Sequence, residues 1–428
     1  MLNRIQAALQ QEKITVYRIV ETTEETAELF FVRRALDQRR IKDIREYEVT
    51  VYRDGKNEKG EPTRGFTSVT LTSSMTDEQI AEALRGAYFA AGFAANPYYD
   101  LPEAVKAPPV EKTGDLATLP LAESAGKMTE ALFAADVHED AFLNSAELFV
   151  TRLKRHILSS EGTDVSYTDA TVKGEFVVQC PSPEDVEMHV TYAYGELETD
   201  ALRAKVAEAL TFVRDRAHAS RALGSGKYDL VLSGNALRTV LSYYAERSSA
   251  SMLYAKYSGW KCGDAVQGES VTGEKLNLTL CATVPYDGEG IPMADLPLVK
   301  DGELLAIHGA NRFCRYLGVK PTGNFSKLRC ENGGVPFEVL KKAPCLWAVT
   351  FSDFQMDSFS GHFGGEIRLA YLIGEDGSVT PVTGGSVNGS LFDAQKDLQF
   401  SAERYETANY EGPYAVRMSG ISVAGSEV

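Results

Sequence analysis

The residues of this chain that could do acid–base, nucleophilic or metal chemistry are few and scattered. Among 428 residues there are six histidines (His138, His156, His189, His218, His308 and His362) and six cysteines, none of them in a Cys-x-x-Cys pair. His138-Glu139-Asp140 has the composition of a metal or acid–base cluster. It follows an expected helix and lacks a second histidine at ligand spacing, so it reads as a solvated helix terminus. His156 lies near a strand end beside Ile157 and reads as a half-buried structural residue. Cys281, Cys314, Cys330 and Cys345 fall in or beside expected strands and helices, where thiols are usually inert fillers. Gly-x-Ser-x-Gly is absent, which removes the nucleophile elbow. A phosphate loop ending at Gly226-Lys227 also fails, because its first glycine would fall on Arg221 and Tyr228 stands where Ser or Thr is needed.

Two histidines lie in turn-rich segments. His308 adjoins Gly309 after an expected hairpin, where it either packs or contacts a substrate or partner. His362 lies in the run Ser360-Gly361-His362-Phe363-Gly364-Gly365. Paired glycines such as Gly364-Gly365 permit turns or bulges, and also let an extended peptide approach a sheet edge closely. His308, His362, Gly364 and Gly365 are therefore the candidate substrate-contacting residues. No catalytic residue and no metal ligand is assigned.

The elements that must position these residues differ between the two halves. Strands are expected at 14–20, 27–33, 47–53 and 65–71, followed by a helix opened by Thr76 and Gln79 as a capping box and stopped by Asn96-Pro97. Residues 101–120 are rich in Pro, Ala, Lys and Glu and read as an extended linker. A helix at 121–135, strands at 146–153 and 174–180, and a long amphipathic helix at 200–222 complete this half. The composition then shifts at 224–227, and residues 225–428 read as glycine-punctuated strands, with a helix at 235–254 and a short one further on. Within 284–324, Asp287-Gly288-Glu289-Gly290 forms a turn. Apolar runs at 296–299 and 304–307 flank Asp301-Gly302, a hairpin signal, and a helix at 311–317 stops at Gly318. The expected class is α+β: a mixed α/β region over 1–224 and a β-rich, largely antiparallel domain over 225–428.

The order of residues 284–324 (acidic glycine turn, hairpin, short basic helix, then Pro321-Thr322-Gly323-Asn324) resembles the C-terminal domain of the TldD/TldE (PmbA) family. These bacterial peptidases have long been labelled modulators of DNA gyrase. Ser159-Ser160-Glu161-Gly162 is similar to the family's Asn-Ser-Glu-Gly turn, with Ser159 in place of the usual Asn. Metal-bearing members carry His-Glu-x-x-x-His on a helix, with a later cysteine, to hold zinc and activate its bound water. The resemblance places the motif positions on Ser242, Tyr243 and Arg247, and no cysteine follows Cys345. It thus implies a TldE-like branch without zinc ligands, paired with a zinc-bearing sister subunit or with itself, and acting on extended or unfolded peptides. A stand-alone peptide-binding protein is the alternative, and a hydrolase with a site near His308 or His362 a third reading.

With 44 Lys+Arg against 60 Asp+Glu the formal net charge is −16, which disfavours direct binding to nucleic acid. Residues 1–20 carry frequent charges and no apolar core, so no secretory signal is expected. Scattered cysteines fit a reducing cytoplasm. Tyr243, Tyr244, Tyr254 and Tyr257 are expected to supply either core packing or a partner interface.

Overall fold

A computed structural model describes residues 1–426. Helix α1 (Leu2–Gln11) leads into the strands β1 (Tyr17–Val32), β2 (Ala35–Lys56) and β3 (Pro62–Thr72). Three helices follow, α2 (Asp77–Ala91), α3 (Asp115–Thr118) and α4 (Leu121–Ala134). Strands β4 (Phe142–Ser159), β5 (Asp164–Cys180) and β6 (Val186–Tyr194) precede α5 (Thr199–Ala217). The six strands form one antiparallel sheet in the order β3-β2-β1-β4-β5-β6. Two apolar layers cover it. Ile5, Leu9, Ile80 and Leu84 of α1 and α2 pack on Val49 and Leu71, while Met128, Leu132, Val206 and Leu210 of α4 and α5 pack on Leu148 and Val172.

The two short strands expected at 14–20 and 27–33 are one continuous strand, β1, and the strand at 47–53 is the inner end of β2. The intervening Glu and Thr residues look like a loop in sequence, but neighbouring strands satisfy them. Tyr47 donates to Glu21 at 2.9 Å, Arg40 to Glu28 at 2.6 Å, and Thr26 meets Thr151 at 3.0 Å. The capping box of α2 is present, with the Gln79 amide bonded to Thr76 Oγ1 and Gln79 Oε1 taking the Thr76 amide. The 101–120 segment is extended as expected but anchored, since the Val110 amide bonds the Ser166 carbonyl and the Lys112 amide bonds Thr168 Oγ1.

The second half opens with β7 (Gly226–Ser233), α6 (Asn235–Arg247) and α7 (Ala250–Tyr254). It continues with β8 (Leu278–Cys281), β9 (Leu296–Lys300), β10 (Glu303–Leu304), α8 (Asn311–Leu317), β11 (Lys327–Cys330) and α9 (Phe337–Leu340). The longest strands follow, β12 (Cys345–Met356) and β13 (His362–Ile373), then β14 (Val379–Val382), β15 (Ser386–Ser390) and α10 (Leu391–Ala394). Strands β16 (Gln399–Phe400), β17 (Arg404–Thr407), β18 (Tyr410–Pro413) and β19 (Ala415–Ala424) end the chain's regular structure. Because β12 pairs with both β7 and β13, the order β12-β7-β19-β15-β13 closes on itself, with β14 and β16 attached. A second sheet, β10-β9-β8-β11-β18-β17, shares its core with this ring through Leu280, Leu298, Leu328 and Phe400. The fold is α+β.

The helix expected at 235–254 breaks into α6 and α7. Ser248 turns its hydroxyl back to the Tyr244 carbonyl at 2.7 Å, and Ser249 caps α7. Asp301 and Gly302 take positive φ, 49° and 80°, as the hairpin between β9 and β10 requires. The acidic glycine turn joins the halves. Glu289 accepts from Arg18 of β1 at 3.4 Å and from the Asn311 amide at 3.1 Å, and Tyr316 donates to the Pro97 carbonyl at 2.7 Å. Among the described residues no helix is long and apolar enough to cross a membrane.

Candidate functional site

Helix α6 carries Ser242, Tyr243 and Arg247, and its surroundings determine what these residues can do. Ser242 donates back to the Thr239 carbonyl at 2.8 Å. Tyr243 is buried, and its ring meets Tyr244, Trp260 and Phe392 edge-on at centroid distances of 5.5, 5.7 and 6.2 Å. Burial pushes the Tyr243 hydroxyl above its ordinary pKa, against a smaller pull downward from Arg247. Arg247 donates to the carbonyls of Tyr257 at 2.6 Å and Ser358 at 3.4 Å, while its guanidinium lies 5.5 Å from the Trp260 ring. Glu246 beside it takes the Ser358 hydroxyl. This is a cationic, aromatic clamp on the loop after β12. The zinc that the family's motif would hold does not fit these residues, since Arg247 repels a dication and Tyr243 is sequestered. Among the described residues no three His, Cys, Asp or Glu side chains are grouped to hold a metal ion.

His308 meets the same C-terminal turn of α6, at Ala245 between Tyr243 and Arg247. Its Nε2 is 2.7 Å from the Ala245 carbonyl, its backbone carbonyl accepts from Ala250 at 2.7 Å, and its Nδ1 is buried without a partner. Burial lowers its pKa, with the Ala245 bond opposing. It packs α6 against the hairpin segment. His362 opens β13, exposed, with Nδ1 3.1 Å from Ser360 Oγ. Gly364 and Gly365 lie inside the ring of strands, opposite Gln355 and Phe354 of β12 on one side and Asn388 and Val387 of β15 on the other. A Cβ on Gly365 would run into the Asp353 carbonyl oxygen, and one on Gly364 into that of Val387. The structure thus brings Gly364 and Gly365 together with His362 on one strand and places His308 on a different element. Tyr243 and Tyr244 are core residues, while Tyr254 and Tyr257 are 41% and 57% exposed.

A concavity of about 1190 Å³ lies elsewhere, between the two halves. Its walls are β6, the α5 side chains Lys205, Phe212 and Arg216, the start of α6 at Asn235 and Thr239, and the outer part of β12. Two strand edges line it. Strand β6 ends the first sheet, with no strand beyond it, although its Glu187 carbonyl accepts from Arg216 at 2.6 Å and its Ala193 carbonyl from the Ala408 amide at 3.0 Å; β12 beyond Ala348 pairs as a strand with β13 alone among the described residues. The Thr350 hydroxyl, also on this wall, is buried without a partner. The charge along the cleft is mixed, Lys173, Lys205, Arg216 and Arg368 facing Glu175, Glu187, Glu208 and Asp353. Such a channel can take an extended backbone by strand addition, with side-chain selection by shape rather than net charge. Sequence reasoning missed it. Nothing in residues 186–194 or 349–356 signals an open edge, because an edge exists only once pairing is complete.

Residues 225–425 match the model of the PmbA/TldA metallopeptidase C-terminal domain. Over nearly the whole chain the fold is similar to TldE from Thermococcus kodakarensis, with a TM-score of 0.79 at 15% identity, covering 99% of this chain and 100% of that one. A protein from Thermotoga maritima MSB8 that carries the provisional name modulator of a DNA gyrase aligns with a TM-score of 0.75 at 16% identity, over 99% of each chain. Its namesake from Bacteroides thetaiotaomicron VPI-5482 aligns with a TM-score of 0.79 at 15% identity, over 99% of this chain and 98% of that one. No curated protein matches the chain.

Proposed function

Because residues 225–425 belong to the PmbA/TldA metallopeptidase family and the chain as a whole has the TldE fold, we propose that this protein is a zinc-free, TldE-like subunit that holds extended peptide for a zinc-bearing sister. The observation that carries the proposal is the interdomain cleft, bordered by the strand-free edge of β12 and the partly open edge of β6 between Glu187 and Ala193, and reaching Asn235 and Thr239 of the helix that also carries Ser242, Tyr243 and Arg247. A peptide backbone laid along either edge gains main-chain hydrogen bonds that are indifferent to sequence, which suits an unfolded substrate. Hydrolysis itself falls to the sister's zinc and its water. The reducing cytoplasm is the compartment of this work, in keeping with six cysteines that are all free.

The test is binding of a fluorescein-labelled unstructured peptide, followed by anisotropy, with and without the zinc-bearing relative from the same genome. Wild-type protein binds, and Asn235→Trp with Thr239→Trp, which fill the cleft from an exposed helix face, weaken binding about ten-fold. Cleavage follows only when the relative is added. Binding that is intact in the filled variant, or absent in both proteins, overturns the reading. Binding without relative-dependent cleavage favours the stand-alone peptide-binding protein instead.

A further inference from the structure

The cleft between the halves has two unlike ends. Lys205, Glu208, Phe212 and Arg216 recur at helical spacing on one face of α5, so that helix runs the length of the cleft wall. At one end Lys205 meets the Tyr405 hydroxyl at 3.0 Å, and the Ala408 amide closes the edge of β6 at the Ala193 carbonyl. At the other end Arg216 closes that edge at the Glu187 carbonyl. Alternate residues of a strand turn their N–H and C=O groups to the same edge, so His189 and Thr191 face the cleft between these two stops.

A second basic side chain stands at the Arg216 end. In β13, Leu369 lies opposite Thr350 and Ile367 opposite Phe351 of β12, which leaves Arg368 as a bulged residue with no opposite number. Such a bulge re-aims the side chain it carries. Thr350, which lines the cleft there, keeps its hydroxyl buried and without a partner. The Tyr371 hydroxyl of the same strand donates to Asp215, which fixes the end of α5 beside β13. Arg216 and Arg368 border both the cleft and a smaller concavity of about 180 Å³ beyond it, so they form the neck between the two. Burial, and then the like charge of Arg368, lower the pKa of Arg216 against a smaller pull from Glu184. On the rim of the smaller concavity Arg221 pairs with Glu184 at 3.0 Å and Arg368 with Glu366 at 3.3 Å. The Glu187 carboxylate is taken by Asn144 at 2.9 Å. Among the described residues Arg216 bonds only the Glu187 carbonyl, so that rim carries one positive charge in excess.

We propose that Arg216 and Arg368 receive the free C-terminal carboxylate of an extended peptide whose preceding residues lie along His189 and Thr191. A guanidinium offers a carboxylate two parallel N–H donors, and two guanidiniums that repel each other are relieved by one shared anion. A single excess charge suits a carboxylate better than a phosphate dianion. An internal segment has no charge to place at the neck, and it must bend away where Arg216 closes the strand edge. Within the peptide-holding reading, on which this rests, the pair therefore selects chains presented by their C-terminal end. The opposite end of the cleft, at Asn235 and Thr239, is left to the upstream part of the peptide.

Anisotropy with one unstructured peptide in three forms tests it, each labelled at the N terminus. The forms are a free C-terminal acid, a C-terminal amide, and an amide with one internal Asp that matches the acid's net charge. The wild-type chain binds the acid about ten-fold more tightly than either amide. Arg216→Gln and Arg368→Gln each bring the acid down toward the amide and leave amide binding as it was. Arg214→Gln, whose native side chain bonds Asp140 at 2.9 Å away from the cleft, keeps the preference. Thermal melts confirm that each variant folds, and the three peptides on wild type decide the matter without any variant. Equal binding of acid and plain amide overturns this inference and leaves the peptide-holding reading standing. Equal binding of the acid and the Asp-bearing amide shows general charge attraction and overturns it too, as does a preference that survives both substitutions. Binding of none of the three peptides overturns the peptide-holding reading and this inference with it.

Discussion

The imidazole Nε2 of His308 lies 2.7 Å from the carbonyl oxygen of Ala245, at the C-terminal end of the helix that carries Ser242, Tyr243 and Arg247. The contact ties the hairpin segment after β10 to α6. It also sets the tautomer, because a carbonyl accepts only from a protonated ring nitrogen, so Nε2 donates and the buried Nδ1 is bare. His308→Leu removes the donor, while the Ser248 hydroxyl still reaches Ala245 at 3.1 Å. The expected loss is about 1 kcal/mol in a urea melt, with partial recovery in His308→Gln.

The same histidine gives a pH signature. Burial lowers its pKa below the ordinary 6.5, so as pH falls the unfolded chain takes up the proton first. Stability contributed at this site is therefore full above pH 6.5 and declines as pH falls through that value toward the folded pKa. The difference in unfolding free energy between wild type and His308→Gln should shrink over that window, and a constant difference would show that the ring does not titrate there.

Asp287 makes the opposite prediction. Burial raises its pKa above 3.8, against the pull of the Ile291 and Glu289 amides, and one of its oxygens is buried without a partner. Its favourable contribution is complete below pH 3.8 and is lost as pH rises through the raised folded value. Relative to Asp287→Asn, wild type should gain stability on acidification from neutral pH. Paired melts at several pH values decide it, and a relative loss on acidification would contradict the assignment.

Arg247→Ala releases the carbonyls of Tyr257 and Ser358 and the face of Trp260. Hydrogen bonds to charged groups contribute about 1.5–3 kcal/mol, and here the Tyr257 bond is exposed and the Ser358 bond long, so a loss at the lower end of that range is expected. Arg247→Lys should restore only part of it, since both carbonyls are bonded by the one nitrogen Nη1, which an ammonium can imitate, while the planar guanidinium over Trp260 is lost. Faster proteolysis near residues 357–361 would locate the change in the clamped loop.

Gly365→Ala forces a methyl group against the Asp353 carbonyl, between two paired strands that cannot separate without breaking the ring. The expected cost is about 1–3 kcal/mol by thermal or denaturant melting. Gly377→Ala makes a poor control because its φ is 79°, whereas Gly86, with open space around it and ordinary helical φ, should be neutral or better as Ala.

Protein purified without an affinity tag should contain less than about a tenth of a zinc ion per chain by elemental analysis, because a stable site needs three or four placed ligands. One tightly held zinc per chain, lost on replacing any single histidine, would reverse the assignment of α6.

The features legible in residue order alone are local. Thr76 with Gln79 starts α2, Asp301-Gly302 turns the hairpin, and Gly318 with φ 68° stops α8, because each depends on backbone preferences and hydrogen bonds spanning a few residues. The α+β class was legible for the same reason, being a matter of residue type and order. That residues 17–32 are one strand follows from long-range pairing, since the partners of Glu21, Thr26 and Glu28 come from distant strands. Such pairing also placed Gly364 and Gly365 inside a closed ring and opened the cleft between β6 and β12. An open edge is defined by which strand is missing beside it, and strand pairing is a long-range property with no counterpart in local spacing.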